Sequence, residues 1–467
     1  MIKNIKHLAQ LATISGASLW LVACGGGGSS VDSAKLMANS YVQSIFVASS
    51  SGYKPTVAVE PNFIDAWGIA IRPAGQPGHY WVLAGNKSYE YVGDVTGKVV
   101  APCTKVSSLC ADLAPLPANT VTLPDFPVDN NNLPDIANNH ATGVVYNSQS
   151  TNFVITQTPS APSTNVNPIV AGSKFLFATN FGAIYAWTER KHLDGSGYDR
   201  ADTAVKVFDS RDDATDCGQF YGLAISPTSD RLYVADFGTD TSVCGSSAAV
   251  AGVPKSFRVR VFDKTLVNGK LQEITSTLNG GNAFTNPFAA NPANIVAGDY
   301  VPWNVQVIGN SVFVAYAKVM QNPDALPGTP FPANEVHSPG AGGLAEFDLN
   351  GKLITVWNDG GLLNAPWGIA AAPSNFGKAS NTLLIGNFGD YDTGGSKGAI
   401  VAFDTTTRKA ITALHNLDGS PLLIPGIWGI LFGNGDTLGD TDALYFAAAP
   451  NEETEGLFGS VRFSLPK

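Results

Sequence analysis

The chain has 467 residues, 28 of them Lys or Arg and 38 Asp or Glu, for a formal net charge of −10. Charged residues are only 14%, while Gly supplies 49 positions, Pro 29 and aromatics 10%, a turn-rich profile of folded β structure rather than disorder. There is no basic stripe, so nucleic acid is not an expected partner, and the acidic balance favours solubility with a weak bias toward cations.

The chain opens on Lys3, Lys6 and His7, followed by a short apolar stretch from Leu8 to Val22. That pattern is a secretory leader, too short and wrongly flanked for a membrane span. Leu21-Val22-Ala23-Cys24 resembles the lipobox of bacterial lipoproteins. The resemblance implies cleavage after residue 23 and a lipid on Cys24, since a thioether to diacylglycerol forms only on sulfur. The alternative is an ordinary leader with an incidental Cys. Gly25-Gly26-Gly27-Gly28-Ser29-Ser30 favours the anchored form, because it makes a flexible tether across residues 24–40. Loss of Lys3 and Lys6 takes the net charge from −10 to −12. With no Asp beside Cys24, the resemblance also implies sorting to the outer membrane, and so an exported protein whose partner is the membrane through its lipid.

From residue 41 to 467 one unit recurs. Tyr41-Val42-Gln43-Ser44-Ile45-Phe46-Val47 reads as a strand, and then an aromatic-Gly-aliphatic phrase appears at Trp67-Gly68-Ile69, Tyr221-Gly222-Leu223, Trp367-Gly368-Ile369 and Trp428-Gly429-Ile430. Thr142-Gly143-Val144 and Trp303-Asn304-Val305 fill the two gaps as degenerate copies. Each phrase is followed by short runs rich in β-branched and aromatic residues, such as Phe175–Ala178, Leu232–Ala235, Val312–Ala315 and Leu383–Ile385, separated by Gly, Asn, Asp and Pro. One turn is explicit, with Asn350-Gly351 at the tip of a hairpin. Six such units, spaced from 61 (428 − 367) to 82 (303 − 221) residues apart, predict an all-β, six-bladed β-propeller with long loop insertions. Pairing the Tyr41–Val47 strand with Gly459–Phe463 would close the ring and leave no open edge.

After Cys24 come Cys103, Cys110, Cys217 and Cys244, an even number in an exported chain, which predicts two disulfides. Three connectivities are open, and sequence proximity favours Cys103–Cys110 with Cys217–Cys244.

The six-fold pattern resembles the NHL-repeat and gluconolactonase-like propellers. Ala365-Pro366-Trp367-Gly368-Ile369-Ala370, Ala372-Pro373-Ser374-Asn375-Phe376-Gly377, Gly386-Asn387-Phe388-Gly389-Asp390 and Gly456-Leu457-Phe458-Gly459 resemble, more closely, a family of bacterial secreted propellers. The likeness runs from about Tyr41 to Phe463 and implies fold and export rather than a reaction. The departure at Trp303-Asn304, where Gly is lost, sets this chain apart from the pattern.

Trp67, Tyr221, Trp303, Trp367 and Trp428 should begin the inner strands, where they either pack the repeat or ring an axial ligand site. His140 stands where a blade opens on the axis, as a structural histidine or a general base; the other histidines fall in loops or outer strands. Asn180-Phe181-Gly182, Asp236-Phe237-Gly238 and Asn387-Phe388-Gly389 end second strands, as Asx turns or as oxygen ligands for Ca²⁺. The gluconolactonase resemblance implies an axial divalent metal on Glu, Asn and Asp ligands, for which Asp65, Asp236 and Asn304 are the nearest candidates. No cofactor follows from the residues themselves. Asn451-Glu452-Glu453-Thr454-Glu455 reads as a solvated acidic loop. No His-Glu-x-x-His, P-loop or haem motif is present.

The expectation is a lipid-anchored, monomeric envelope propeller that binds a small molecule, glycan or protein. A metal-dependent, lactonase-like hydrolase at the axis is the first alternative and a structural surface protein the second.

Overall fold

The computed structural model describes residues 39–465 apart from short stretches, the longest being 112–119, 240–256, 322–332 and 390–397. The leader, Cys24 and most of the tether lie outside the described residues, as do Cys217 and Cys244.

Six antiparallel sheets form the blades of a β-propeller. From inner to outer strand, blade 1 is Ala66–Ala70, Tyr80–Ala84, Lys87–Gly93 and Leu109–Ala111, with Thr120–Thr122 also paired to its third strand. Blade 2 is Ala141–Tyr146, Phe175–Thr179, Ala183–Trp187 and Val205–Asp209. Blade 3 is Gly218–Ile225, Arg231–Thr239, Arg258–Val267 and Lys270–Glu273. Blade 4 is Tyr300–Ile308, Ser311–Gln321, Gly342–Asp348 and Leu353–Val356. Blade 5 is Pro366–Ala371, Thr382–Asn387, Ile400–Asp404 and Lys409–Ala413. Blade 6 takes Ile427–Phe432, Ala443–Ala448 and Leu457–Phe463 from the end of the chain and Tyr41–Ala48 from its start. The expected closure is found, with Tyr41 opposite Phe463 and Ser44 opposite Ser460.

Second strands such as Tyr80–Ala84, Phe175–Thr179 and Ala443–Ala448 are buried at every position. They read as unbroken apolar runs rather than alternating ones because both faces of a blade pack against a neighbour. The core is divided accordingly. One apolar cluster fills each of the six gaps between blades, and a seventh, aromatic one lies on the axis.

The repeated glycine has a geometric cause. A Cβ on Gly68 would lie 2.7 Å from Thr142 O, on Gly143 2.6 Å from Leu223 Cβ, on Gly368 2.6 Å from Trp428 O and on Gly429 2.5 Å from Trp67 O. Each glycine lets one inner strand press its backbone against the next, as crowding at the axis requires. Where blade 4 has Asn304 instead, its carboxamide spans the interval and donates to Trp367 O at 2.6 Å. The insertions expected between units are partly extra ribbons, Val154–Gln157 with Ile169–Gly172 and Glu189–Lys191 with Tyr198–Arg200. Cys103 and Cys110 are joined by a disulfide that closes a short loop on blade 1. Gly351, at φ 80°, sits at the tip of the predicted hairpin.

Candidate functional site on the propeller axis

The aromatic residues that begin the inner strands meet across the axis. Trp67 stacks on Trp428 with ring centroids 3.4 Å apart, Trp428 on Phe388 at 4.0 Å, and Tyr221 on Trp303 at 4.5 Å. Trp367 stands edge-on to Trp67 at 5.7 Å and donates its indole N–H to Tyr221 O at 2.8 Å. Trp67, Trp303, Trp367 and Trp428 are all buried, so these rings form a floor across the axis. The indole nitrogens of Trp303 and Trp428 have no hydrogen-bond partner in it.

His140 lies on this floor, stacked on Trp67 at 4.8 Å. Its Nδ1 is 2.7 Å from Oδ2 of Asp65, whose Oδ1 accepts from Trp67 Nε1 at 2.5 Å. Asp65 is 2% exposed and held at φ 54°, a left-handed backbone that a non-glycine residue adopts at a cost. The His140 side chain is 7% exposed, and neither Nδ1 nor Nε2 makes a hydrogen bond. A buried histidine with a carboxylate close to one ring nitrogen, and no hydrogen bond at either, has both nitrogens available to a proton or a donor.

Asn180 positions His140. Its Oδ1 accepts from the His140 backbone N–H at 3.0 Å and its Nδ2 donates to Asn138 O at 2.9 Å. In blade 5, Asn387 does the same to Asn364 N and Leu362 O. In blade 3, Asp236 accepts from Gln219 N at 3.2 Å. These residues, expected as Asx turns or Ca²⁺ ligands, instead bond the start of their own blade's inner strand (Asp236) or the connector that leads into it (Asn180 and Asn387).

The acidic loop after residue 450 is largely solvated, as expected, with Asn451, Glu452 and Thr454 exposed, while Glu453 and Glu455 are half-buried. Asn451, Glu452 and Glu453 have φ of 56°, 54° and 62°, and Glu455 O accepts from Asp65 N at 3.1 Å. Burial, and then the neighbouring Asp65 and Glu335 carboxylates, push the Glu453 carboxyl well above its ordinary range. Glu335 itself lies 3.0 Å from His337 Nε2, and the His337 ring is 5.3 Å from Phe388. Asp65, His140, Glu335, His337 and Glu453 thus come from the starts of blades 1 and 2, from an excursion of blade 4, and from blade 6. Sequence reasoning found Asp65 and His140 but not the other three. The one signal for Glu453 is its place right before Gly456-Leu457, the outgoing strand of the closing blade.

The three residues expected as metal ligands stand apart. Asp65 is bound to His140 and Trp67, and Asn304 to Trp367 O. Asp236 lies within a second charged cluster, where Arg260 is 1% exposed, contacts Asp216 and bonds Glu273 Oε2 at 3.2 Å. Burial pushes Asp236 well above the ordinary carboxylate range, against the pull of Arg260. Among the described residues no three His, Cys, Asp or Glu side chains converge as a metal-ligand group.

At the opposite end of the axis the inner strands open into a recess of about 380 Å³, lined by residues from Ile69 to Ile71 and from Ile430 to Phe432 and their counterparts in the other blades.

No family model matches the chain. Among curated proteins it is similar to two uncharacterized proteins of Acanthamoeba polyphaga mimivirus. One is 33% identical over 163 residues, 35% of this chain and 38% of the relative. The other is 28% identical over 242 residues, 52% of this chain and 48% of the relative. The matches therefore span half or less of those relatives' own lengths. Similar solved structures include a luciferin-regenerating enzyme, at 9% identity and TM-score 0.39 over 86% of this chain and 92% of that one. A glucose dehydrogenase matches at 12% identity and TM-score 0.36, over 85% and 96%. The Dos1 propeller matches at 10% and 0.37, over 87% and 69%. The chain is a six-bladed β-propeller, and the relatives found by sequence are viral.

Proposed function

We propose that this propeller is a lipid-anchored envelope protein of the bacterial secreted type that works as a binding module. Its ligand is a small molecule with a positive or hydrogen-bond-donating group, seated on the axis against Asp65, Glu335 and Glu453. One observation carries the reading. Three carboxylates and two histidines from four blades gather at one end of the axis, and the buried His140 Nε2 among them is unbonded. A cationic group placed there supplies the countercharge that Glu453 lacks, and the indole floor gives it a rigid π surface.

A second reading, a hydrolase at the same site, draws on the Asp65–His140 pair. With the Asp65 carboxylate close to Nδ1, His140 Nε2 would take a proton from water as the hydroxyl adds to a carbonyl, then return it to the departing oxygen. The two readings share residues and separate by turnover.

The test is titration of tryptophan fluorescence with choline and agmatine, alongside assay of p-nitrophenyl esters. Saturable quenching is expected, at least tenfold weaker in His140→Gln and Glu453→Gln at unchanged melting temperature. Because Glu453 is pushed upward when the site is empty, binding of the cation should tighten as pH rises through its raised pKa. Ester turnover abolished in His140→Gln would favour the enzyme. Probes that never saturate, with no turnover, would sink both. For the anchor, Cys24→Ser should leave the protein unprocessed or release it from membranes, and a normally processed protein without lipid on Cys24 would refute it.

A further inference from the structure

The charged cluster around Arg260 borders an open recess of about 760 Å³ in the flank between blades 2 and 3. Blade 2 supplies Phe208 from its outer strand, the connector into blade 3 supplies Asp216, and blade 3 supplies Arg260, Lys270, Leu271 and Glu273 from its third and outer strands. The guanidinium of Arg260 bonds Asp216 Oδ2 and Glu273 Oε2, while its Nη1 lies 3.6 Å from Asp236 Oδ2, too far for a hydrogen bond. Three atoms of the cluster therefore have no hydrogen bond, the donor Arg260 Nη1 and the acceptors Asp216 Oδ1 and Asp236 Oδ2. Asp216 is 6% exposed, and both it and the buried Arg260 line the recess. Buried donors and acceptors left open are costly, on charged groups above all, and folded proteins give such groups a partner. The recess is where that partner enters.

The charges on the wall are countered in place. Asp209 lies 2.7 Å from Arg211 Nη2 and 3.2 Å from Lys206 Nζ, Asp212 lies 3.1 Å from Lys270 Nζ, and Glu273 lies 2.8 Å from Arg258 Nη1. An ion of either sign would meet opposite charges that already have partners. What the wall presents is donors beside acceptors, with Phe208 and Leu271 as apolar surface among them. A sugar hydroxyl answers that pattern, because it donates and accepts at once, brings no charge, and bonds strongly to a carboxylate or a guanidinium. The C–H face of the sugar ring covers the apolar part. The volume lies within the roughly 300–1,000 Å³ of small-molecule sites.

We propose that this flank recess is a binding site for a neutral saccharide, whose hydroxyls complete the hydrogen bonds left open on Asp216 and Arg260. The site shares no residue with the axial cluster, so the two readings stand or fall separately. A free sugar and the end of a polysaccharide share the chemistry that the wall recognises, and the open mouth of the recess admits either.

Saturation-transfer NMR of the full-length protein tests this with maltose, isomaltose and mannobiose, each beside its polymer amylose, dextran or mannan. At least one pair should give saturable transfer. Tetramethylammonium and acetate, which carry charge without hydroxyls, should not displace the sugar. Asp216→Asn should weaken binding at least tenfold. Because that change touches a buried ion pair and can unsettle the fold, Lys270→Met is read beside it, at a side chain 46% exposed, and should weaken binding at least threefold at unchanged melting temperature. His140→Gln, on the axis, should leave the sugar titration unmoved. A polymer that binds tighter than its disaccharide identifies a polysaccharide as the source, and equal binding a free sugar. No transfer from any of the six probes overturns the proposal, as does displacement by either ion. Binding unmoved by Lys270→Met, or lost in a folded His140→Gln protein, overturns it too.

Discussion

Glu90 shows how single side chains hold the insertions to the ring. It lies in the third strand of blade 1 and is 2% exposed, yet contacts Arg200 on the blade 2 ribbon and sits 3.0 Å from His79 Nδ1. Burial works to raise its pKa, but Arg200 and His79 together outweigh burial and hold it at about 2, against an ordinary 4.5. A depressed carboxylate stabilises the fold fully above pH 4.5, and the contribution is lost as pH falls toward 2. Glu90→Gln should therefore cost about 3 kcal/mol at pH 7 and little near pH 2, as read by thermal denaturation at both values. The left-handed run at Asn451–Glu453 makes a second residue-scale prediction. Glu452→Gly relieves a φ of 54° and should stabilise the protein by up to about 1 kcal/mol, while loosening Glu453 and weakening the axial ligand. Tighter binding in that variant would show that the strained loop does not position the site.

At the level of the element, the aromatic-Gly phrase divides its labour. The glycine fits one inner strand against the next, and the aromatic ring covers the axis. Gly429→Ala would put a methyl 2.5 Å from Trp67 O and should destabilise by about 1–3 kcal/mol, measured by urea unfolding. Trp428→Ala removes a fully buried ring that stacks on both Trp67 and Phe388, and about 3–5 kcal/mol is expected. A Trp428→Ala protein with unchanged stability would mean that the ring faces a ligand instead of its neighbours. These phrases were readable because a repeat puts the same packing problem at the same place in every unit. The latches at Asn180, Asp236 and Asn387 were only half readable: their type and position stand out, but a side chain that bonds its own turn looks the same in sequence as one that bonds backbone 17 to 42 residues away. Glu335 and His337 were not readable at all, and Glu453 only through its place before Gly456-Leu457. They come from irregular excursions outside the repeat, where no period predicts direction and left-handed backbone at non-glycine residues leaves no mark on composition.

On the scale of the whole molecule, the two ends of the axis differ in kind. One carries carboxylates and histidines over an indole floor, and the other a recess between the ends of the inner strands. The Cys103–Cys110 bond lies on the outer strands of blade 1, where Cys110 pairs with Val92. It cross-links a loop of eight residues, so Cys103→Ser should cost about 2 kcal/mol by differential scanning calorimetry and leave ligand titration unchanged.

The pairing of Tyr41–Ala48 with Leu457–Phe463 carries a consequence for biogenesis. The first strand made is completed by the last, so a ribosome adding 5–20 residues each second leaves it without its partner for roughly 20–80 s. Throughout that interval the nascent arc has two bare margins, each a template for pairing with another polypeptide. A chain stopped short of residue 457 never escapes that state, even with five blades finished. Loss of the final dozen residues, which pair on both edges of their strand, should therefore be felt as aggregation and proteolysis in the producing cell, while an export route that keeps the polypeptide unfolded until its end is released would avoid the exposed arc altogether.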